Sequence, residues 1–188
     1  MCYTQPDSAR GKSLAYENRA WEAYQAQRFE TAISILDSSI ALDSSRPSPF
    51  ILKSEALWFI GRFAEAAETY KKWIIIELLT DSSILLVGAY VHLGMLYDKA
   101  DMFIQAKEQY IKAINTFESD YKAIKQFEGE EEVEYVMAFG LLGDSKNWKK
   151  KLMPLVEKYK LWDLSKLENV TRKQLLETRF APYTLNGG

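Results

Sequence analysis

One cysteine, one histidine, five prolines and nine glycines are all that 188 residues hold of these types, and the scarcities close several routes. Cys2 cannot form an internal disulfide, and it lies in a polar stretch without the apolar centre of a secretory signal, so a reducing, cytoplasmic setting is expected. With His92 the only histidine, no pair of histidines or cysteines exists for a zinc site of the usual types. Any histidine-based triad or dyad would have to be built around that one residue. A glycine-rich phosphate loop is missing as well, since Gly11-Lys12-Ser13 lacks the upstream glycine and the preceding strand. Long apolar runs are scarce: Trp73–Leu79 and Ile84–Leu96 are too short or too interrupted to span a bilayer. A net charge of −2 argues against a general nucleic-acid binder. The carboxylates are many but scattered. These absences predict a soluble protein that is not an enzyme, with no cofactor, metal, small-molecule substrate, nucleic acid or membrane partner.

What the chain does contain is a repeat. Phe29-x-x-Ala32-x-x-x-Leu36 returns thirty-four residues later as Phe63-x-x-Ala66-x-x-x-Tyr70, and again as Phe103-x-x-Ala106-x-x-x-Tyr110. A period of this size marks a supersecondary unit that cannot bury its apolar face alone and must stack on copies of itself. Apolar periodicity places first helices at 14–27, 48–60 and 83–99, and second helices at 30–43, 63–79 and 103–118. Short turns at Gln27-Arg28, Gly61-Arg62 and Ala100-Asp101 join each pair. In each antiparallel pair Ala20, Ser54 or Gly94 lets the second helix approach where Ala32, Ala66 or Ala106 sits. The third copy follows the second by forty residues rather than thirty-four. The helix that carries Trp73 to Leu79 is therefore expected to run on, with Thr80-Asp81-Ser82-Ser83 as turn and cap and a local irregularity in the stack.

The third copy, Tyr90-x-x-Leu93-Gly94-x-x-Tyr97 followed by Phe103, Ala106, Tyr110 and Ala113, resembles the tetratricopeptide repeat pattern, and residues 13–118 resemble three such units, 13–46, 47–82 and 83–118. That resemblance implies an all-α, right-handed α-solenoid of stacked antiparallel helix pairs. Residues 1–12 are expected to be a flexible N-terminus, 119–180 a degenerate fourth hairpin with a capping helix, and 181–188 a tail. In the extension, the third unit's last helix continues its apolar stripe towards Phe127 before Gly129 stops it. Glu130, Glu131, Glu132 and Glu134 open the next helix, favoured there by the helix dipole. Gly143-Asp144-Ser145 makes a turn, and Trp148–Tyr159 follows, with Pro154 either starting that helix or kinking it. Arg172–Phe180, capped by Thr171, would cover the open end of the stack.

The resemblance also implies a concave face built from the first helices, presenting Asn18, Trp21 and Gln25, then Ile51, Leu52, Glu55 and Phe59, then Val91, His92 and Met95. Its largely apolar lining suits an amphipathic helix or extended peptide of a partner protein. The carboxylate clamp by which a subset of the family holds the acidic C-termini of chaperones is absent, because the matching positions hold Glu17, Trp21, Leu52, Gly88 and His92. The expected function is therefore a non-enzymatic adaptor or chaperone-like module, similar in size and repeat number to small three-repeat secretion chaperones. Two plainer readings stand beside it: these side chains pack against neighbouring helices, or the chain's own tail fills the groove. A different class of function is a structural subunit or inhibitor that docks by its convex face or by the region 121–185, with Trp148, Trp162, Tyr183 and the basic run Lys146–Lys151. Such runs are more often solvated helix faces.

Overall fold

The computed structural model describes residues 8–79, 86–124, 130–159 and 170–178, and among these every regular element is an α-helix. In chain order they are α1 (Ala9–Gln25), α2 (Phe29–Leu42), α3 (Ser48–Phe59), α4 (Phe63–Leu79), α5 (Leu86–Lys99), α6 (Phe103–Ile124), α7 (Glu130–Leu141), α8 (Ser145–Tyr159) and α9 (Arg172–Thr178). The expected turn at Thr80–Ser83, the continuation to Phe127 and stop at Gly129, the residues Trp162, Phe180 and Tyr183, and the tail 181–188 lie outside the described residues.

Two boundaries differ from the periodicity. Helix α1 opens at Ala9 because the Ser8 hydroxyl caps it, accepting from the Gly11 backbone N–H at 3.0 Å, so residues 9–12 are helical rather than part of a flexible end. Helix α8 opens at Ser145, not near Pro154, and runs through the proline. Asp144 starts it: its carboxylate accepts from the Asn147 backbone N–H at 3.1 Å and from the Asn147 amide at 2.8 Å.

Among the described residues, four hairpins share one turn. Residues Gln27 (φ 56°), Gly61 (φ 76°), Asp101 (φ 59°) and Gly143 (φ 78°) all take the left-handed conformation, two positions before the second helix begins. The residue after each one donates back across the helix end: Arg28 to Ala23, Arg62 to Leu57, Met102 to Tyr97 and Asp144 to Phe139, at 2.8 to 2.9 Å. This is a helix-terminating motif that satisfies carbonyls otherwise left open. In each second helix the next bond is also shared, with Ala32, Ala66, Ala106 and Trp148 donating to Arg28, Arg62, Met102 and Asp144. The pair α7–α8 is thus a fourth copy of the hairpin.

That register exposes an exchange of sizes. Trp148 stands where the other hairpins have alanine, and Gly140, eight residues earlier, stands where they have Tyr24, Trp58 and Asp98. A Cβ on Gly140 would lie 2.9 Å from the Trp148 ring, so the missing side chain on one helix makes room for the large one on the other.

The helices form two compact units, α1–α4 and α5–α9. In the first, α1 packs on α2, α2 on α3 and α3 on α4. Ala20 and Ala32 are fully buried, and Ser13 and Ser39 clasp α1 to α2: each hydroxyl donates to the other's carbonyl, at 3.0 and 2.8 Å. Ser54, the equivalent small residue of α3, donates to the Ala66 carbonyl at 2.9 Å. Leu36 and Leu57 fill the core between the hairpins.

In the second unit α7 packs on α6, α8 and α9. Gly94 of α5 does more than admit Ala106, since an added Cβ would come within 2.4 to 3.0 Å of the Tyr110 ring. The buried Tyr110 hydroxyl donates to Asp98 at 2.6 Å, and Arg172 of α9 donates to the same carboxylate at 2.5 Å and to the Leu141 carbonyl at 2.6 Å. Leu175 packs over Gly140. Helix α9 is itself opened by a reciprocal cap: the Thr171 N–H donates to the Gln174 side chain at 2.8 Å, and the Gln174 N–H donates to the Thr171 hydroxyl at 3.3 Å.

Candidate functional site

On the first unit, helical spacing puts Asn18, Trp21 and Gln25 on one exposed strip of α1, and Ile51, Glu55 and Phe59 on one strip of α3. Trp21 is 40% exposed and Phe59 44%, although both are large and apolar. Leu52 is buried. Trp21 stacks on Tyr24 with ring centroids 5.6 Å apart, Tyr24 meets Phe59 edge-on at 5.9 Å, and Phe59 stacks on Phe29 at 4.8 Å. Tyr24 therefore joins the two exposed rings through a ring that is itself buried.

Glu55 lies at the hydroxyl end of Tyr24. Burial pushes its carboxyl up to about 7, with the Tyr24 hydroxyl the one influence in the other direction. The same environment raises the Tyr24 phenol, first through burial and then through the neighbouring carboxylate. The Tyr24 hydroxyl is buried and closes no hydrogen bond of ordinary geometry, despite its nearness to Glu55.

On the second unit, the three predicted contact residues of α5 fall differently. Val91 and Met95 are buried and His92 is half-buried. Val91 and Met95, like Leu52 of α3, are therefore core residues rather than exposed contacts.

The basic run Lys146–Lys151 is divided by the fold. Trp148 is buried against Gly140, Asn147 serves the cap at Asp144, and Lys146, Lys149 and Lys150 face solvent. Lys151 bends back, its ammonium 4.7 Å from the Tyr135 ring centroid and donating to the Tyr135 hydroxyl at 2.5 Å, while that hydroxyl donates to Glu118 at 2.9 Å. Beside this chain an open cleft of about 570 Å³ lies between α6, α7 and α8, with Phe117, Tyr135, Lys150 and Pro154 on its walls.

Sequence reasoning missed the Tyr24–Glu55 pair, the Phe29–Phe59 stack and the Asp98–Tyr110–Arg172 junction. One signal was present: Asp98 holds the position occupied by Tyr24 and Trp58 in the preceding hairpins, and an acid at an aromatic position asks for a partner. Among the described residues no group of three or more histidine, cysteine, aspartate or glutamate side chains is placed to hold a metal ion, and no helix is long and apolar enough to cross a membrane.

Repeated helical hairpins with a common turn and a common small-residue register define a helical-repeat protein. The comparisons specify which kind. Residues 87–119 match the sequence profile of the tetratricopeptide repeat, and the chain has the fold of that family. It is similar to the N-terminal domain of stress-induced protein-1 (STI-1) from C. elegans, at 19% identity and a TM-score of 0.54, over 64% of this chain and 99% of that one. A second likeness is to MamA, at 18% identity and 0.56, over 79% and 81%. A third is to YrrB, described as a TPR protein with an unusual peptide-binding site, at 16% identity and 0.54, over 78% and 69%. At these identities the likeness is one of fold. No curated protein sequence matches the chain significantly.

Proposed function

We propose that the chain is a non-catalytic protein-interaction module, an adaptor or chaperone-like protein of the cytoplasm, that holds a peptide or helix of a partner against its first-helix faces. The observation that carries this reading is the pair of exposed rings, Trp21 on α1 and Phe59 on α3, set on adjacent hairpins with Asn18, Gln25, Ile51 and Glu55 around them. Exposed aromatics on a rigid scaffold offer contact area at low entropic cost, which suits a peptide better than it suits solvent. The tetratricopeptide fold, and the peptide-binding site named for YrrB, agree with this use. On the second unit, taken by itself, His92 is the one α5 candidate that keeps part of its surface exposed, while Val91 and Met95, like Leu52 on α3, are buried.

Affinity capture from native lysate with quantitative mass spectrometry tests the reading, comparing the wild-type chain with a Trp21→Glu, Phe59→Glu double variant. Specific partners should be lost, and the far-ultraviolet circular dichroism spectrum should stay helical. Undiminished capture by the variant would count against the face. A second reading, docking of an assembly partner by the C-terminal region, is favoured by the cleft between α6, α7 and α8. It predicts that Pro154→Glu removes capture and that the Trp21, Phe59 variant does not.

A further inference from the structure

We propose that the Trp21–Tyr24–Phe59 cluster around Glu55 receives a lysine or arginine side chain of the bound peptide. The proposal rests on the peptide-binding reading above and adds the chemistry of one subsite to it.

Several other carboxylates of this chain are held by basic side chains. Glu17 is paired with Arg46, Asp37 with Lys53, Glu65 with Arg62 and Asp98 with Arg172. Glu55 is more enclosed than Asp37 or Glu65, yet no basic side chain among the described residues pairs with it. Its carboxyl is pushed up to about 7 for that reason: burial opposes the charge, and only a neutral phenol stands against the burial. An enclosed carboxylate without a counter-ion is unfavourable unless a cation arrives.

The surrounding groups suit a cation and not another ligand class. Trp21 and Phe59 leave ring surface open to solvent on either side of Tyr24, and aromatic faces attract ammonium and guanidinium groups. The buried Tyr24 hydroxyl lies against Glu55 without closing a hydrogen bond of ordinary geometry, so it leaves the carboxyl short of a full partner. An acidic side chain would meet the Glu55 charge, and an aliphatic one would bury it further. A lysine or arginine instead supplies the missing charge and lays its methylene stem along the rings.

A phage-displayed library of random dodecapeptides, selected on the full chain at pH 8, tests this. Wild-type protein should enrich lysine or arginine beside apolar residues. Glu55→Gln should abolish the basic preference while the apolar preference persists, and Trp21→Ala should weaken both. Synthetic copies of a selected peptide should lose about tenfold in affinity on lysine-to-norleucine replacement with wild type, and almost nothing with Glu55→Gln. Apolar enrichment without a basic preference, or a basic preference that survives Glu55→Gln, overturns the cation subsite and leaves the peptide-binding reading standing. Failure to enrich any peptide overturns both. If light scattering then shows a dimer that Glu55→Gln dissociates, the occupant is a second copy of the chain and the foreign basic peptide is refuted.

Discussion

Glu55 makes the stability of the first unit depend on pH. A carboxyl raised from its ordinary value of 4.5 to about 7 binds its proton more tightly in the folded chain than in the unfolded one, so the folded state is favoured at low pH. Its contribution is fully present below the unfolded value and is lost as pH rises through about 7. Urea titrations of wild type should therefore show stability falling between about pH 5 and pH 8. Glu55→Gln should flatten that slope and, at pH 8, be more stable by roughly 2 to 3 kcal/mol. Gly94 poses a purely steric case. The Tyr110 ring that lies over it is held by its hydrogen bond to buried Asp98 and cannot swing aside, so Gly94→Ala should cost about 2 kcal/mol in the same assay.

At the scale of the element, the hairpin turns carry the conformational strain. Gly61 has φ 76° with open space around its Cα, so Gly61→Ala meets no clash and should lose only the left-handed penalty, about 1 kcal/mol. Gln27 and Asp101 hold equivalent positions without glycine's freedom. Gln27→Gly should accordingly stabilise the chain by up to about 1 kcal/mol, read as a rise in thermal midpoint. Helix positions were legible in the sequence because the apolar period and the turn residues agree: α4 begins and ends at Phe63 and Leu79 as the spacing requires. The fourth hairpin was only half legible. Its Trp148 and Gly140 trade the sizes that mark the repeat, so a pattern built on alanine at one position and a large residue at the other passes over it. The shared turn and hydrogen-bond register identify the copy where side-chain identity does not.

For the molecule as a whole, α9 ties the second unit together through Arg172 and Leu175. Arg172 neutralises an aspartate whose side chain is wholly buried, near the C-terminal end of α5 where the helix dipole already disfavours negative charge. Ending the chain at residue 169 would remove that cation and uncover Gly140. Arg172 is itself 40% exposed and Tyr110 still serves Asp98, so losing the cation should cost about 1 to 3 kcal/mol, the cost of a buried acceptor left short of a partner. Hydrogen exchange should then show protection lost in α5 and α7, with α1 and α2 unchanged; protection retained in α5 would mean that Tyr110 alone satisfies Asp98.

The amino-acid sequence by itself determined where the helices of the first three hairpins lie and which small residues let them close, because period and turn chemistry are local properties of the chain. It also placed Trp21, Glu55 and Phe59 together as candidates. Only the tertiary structure separated exposed Trp21 and Phe59 from buried Leu52, Val91 and Met95, and only it left Glu55 enclosed without a counter-ion. The physical reason is that a helix in a stack is covered on several sides at once. Spacing fixes which side chains share a face, but the neighbour that covers a face, and the charge that neighbour brings, are set by packing between residues far apart in sequence.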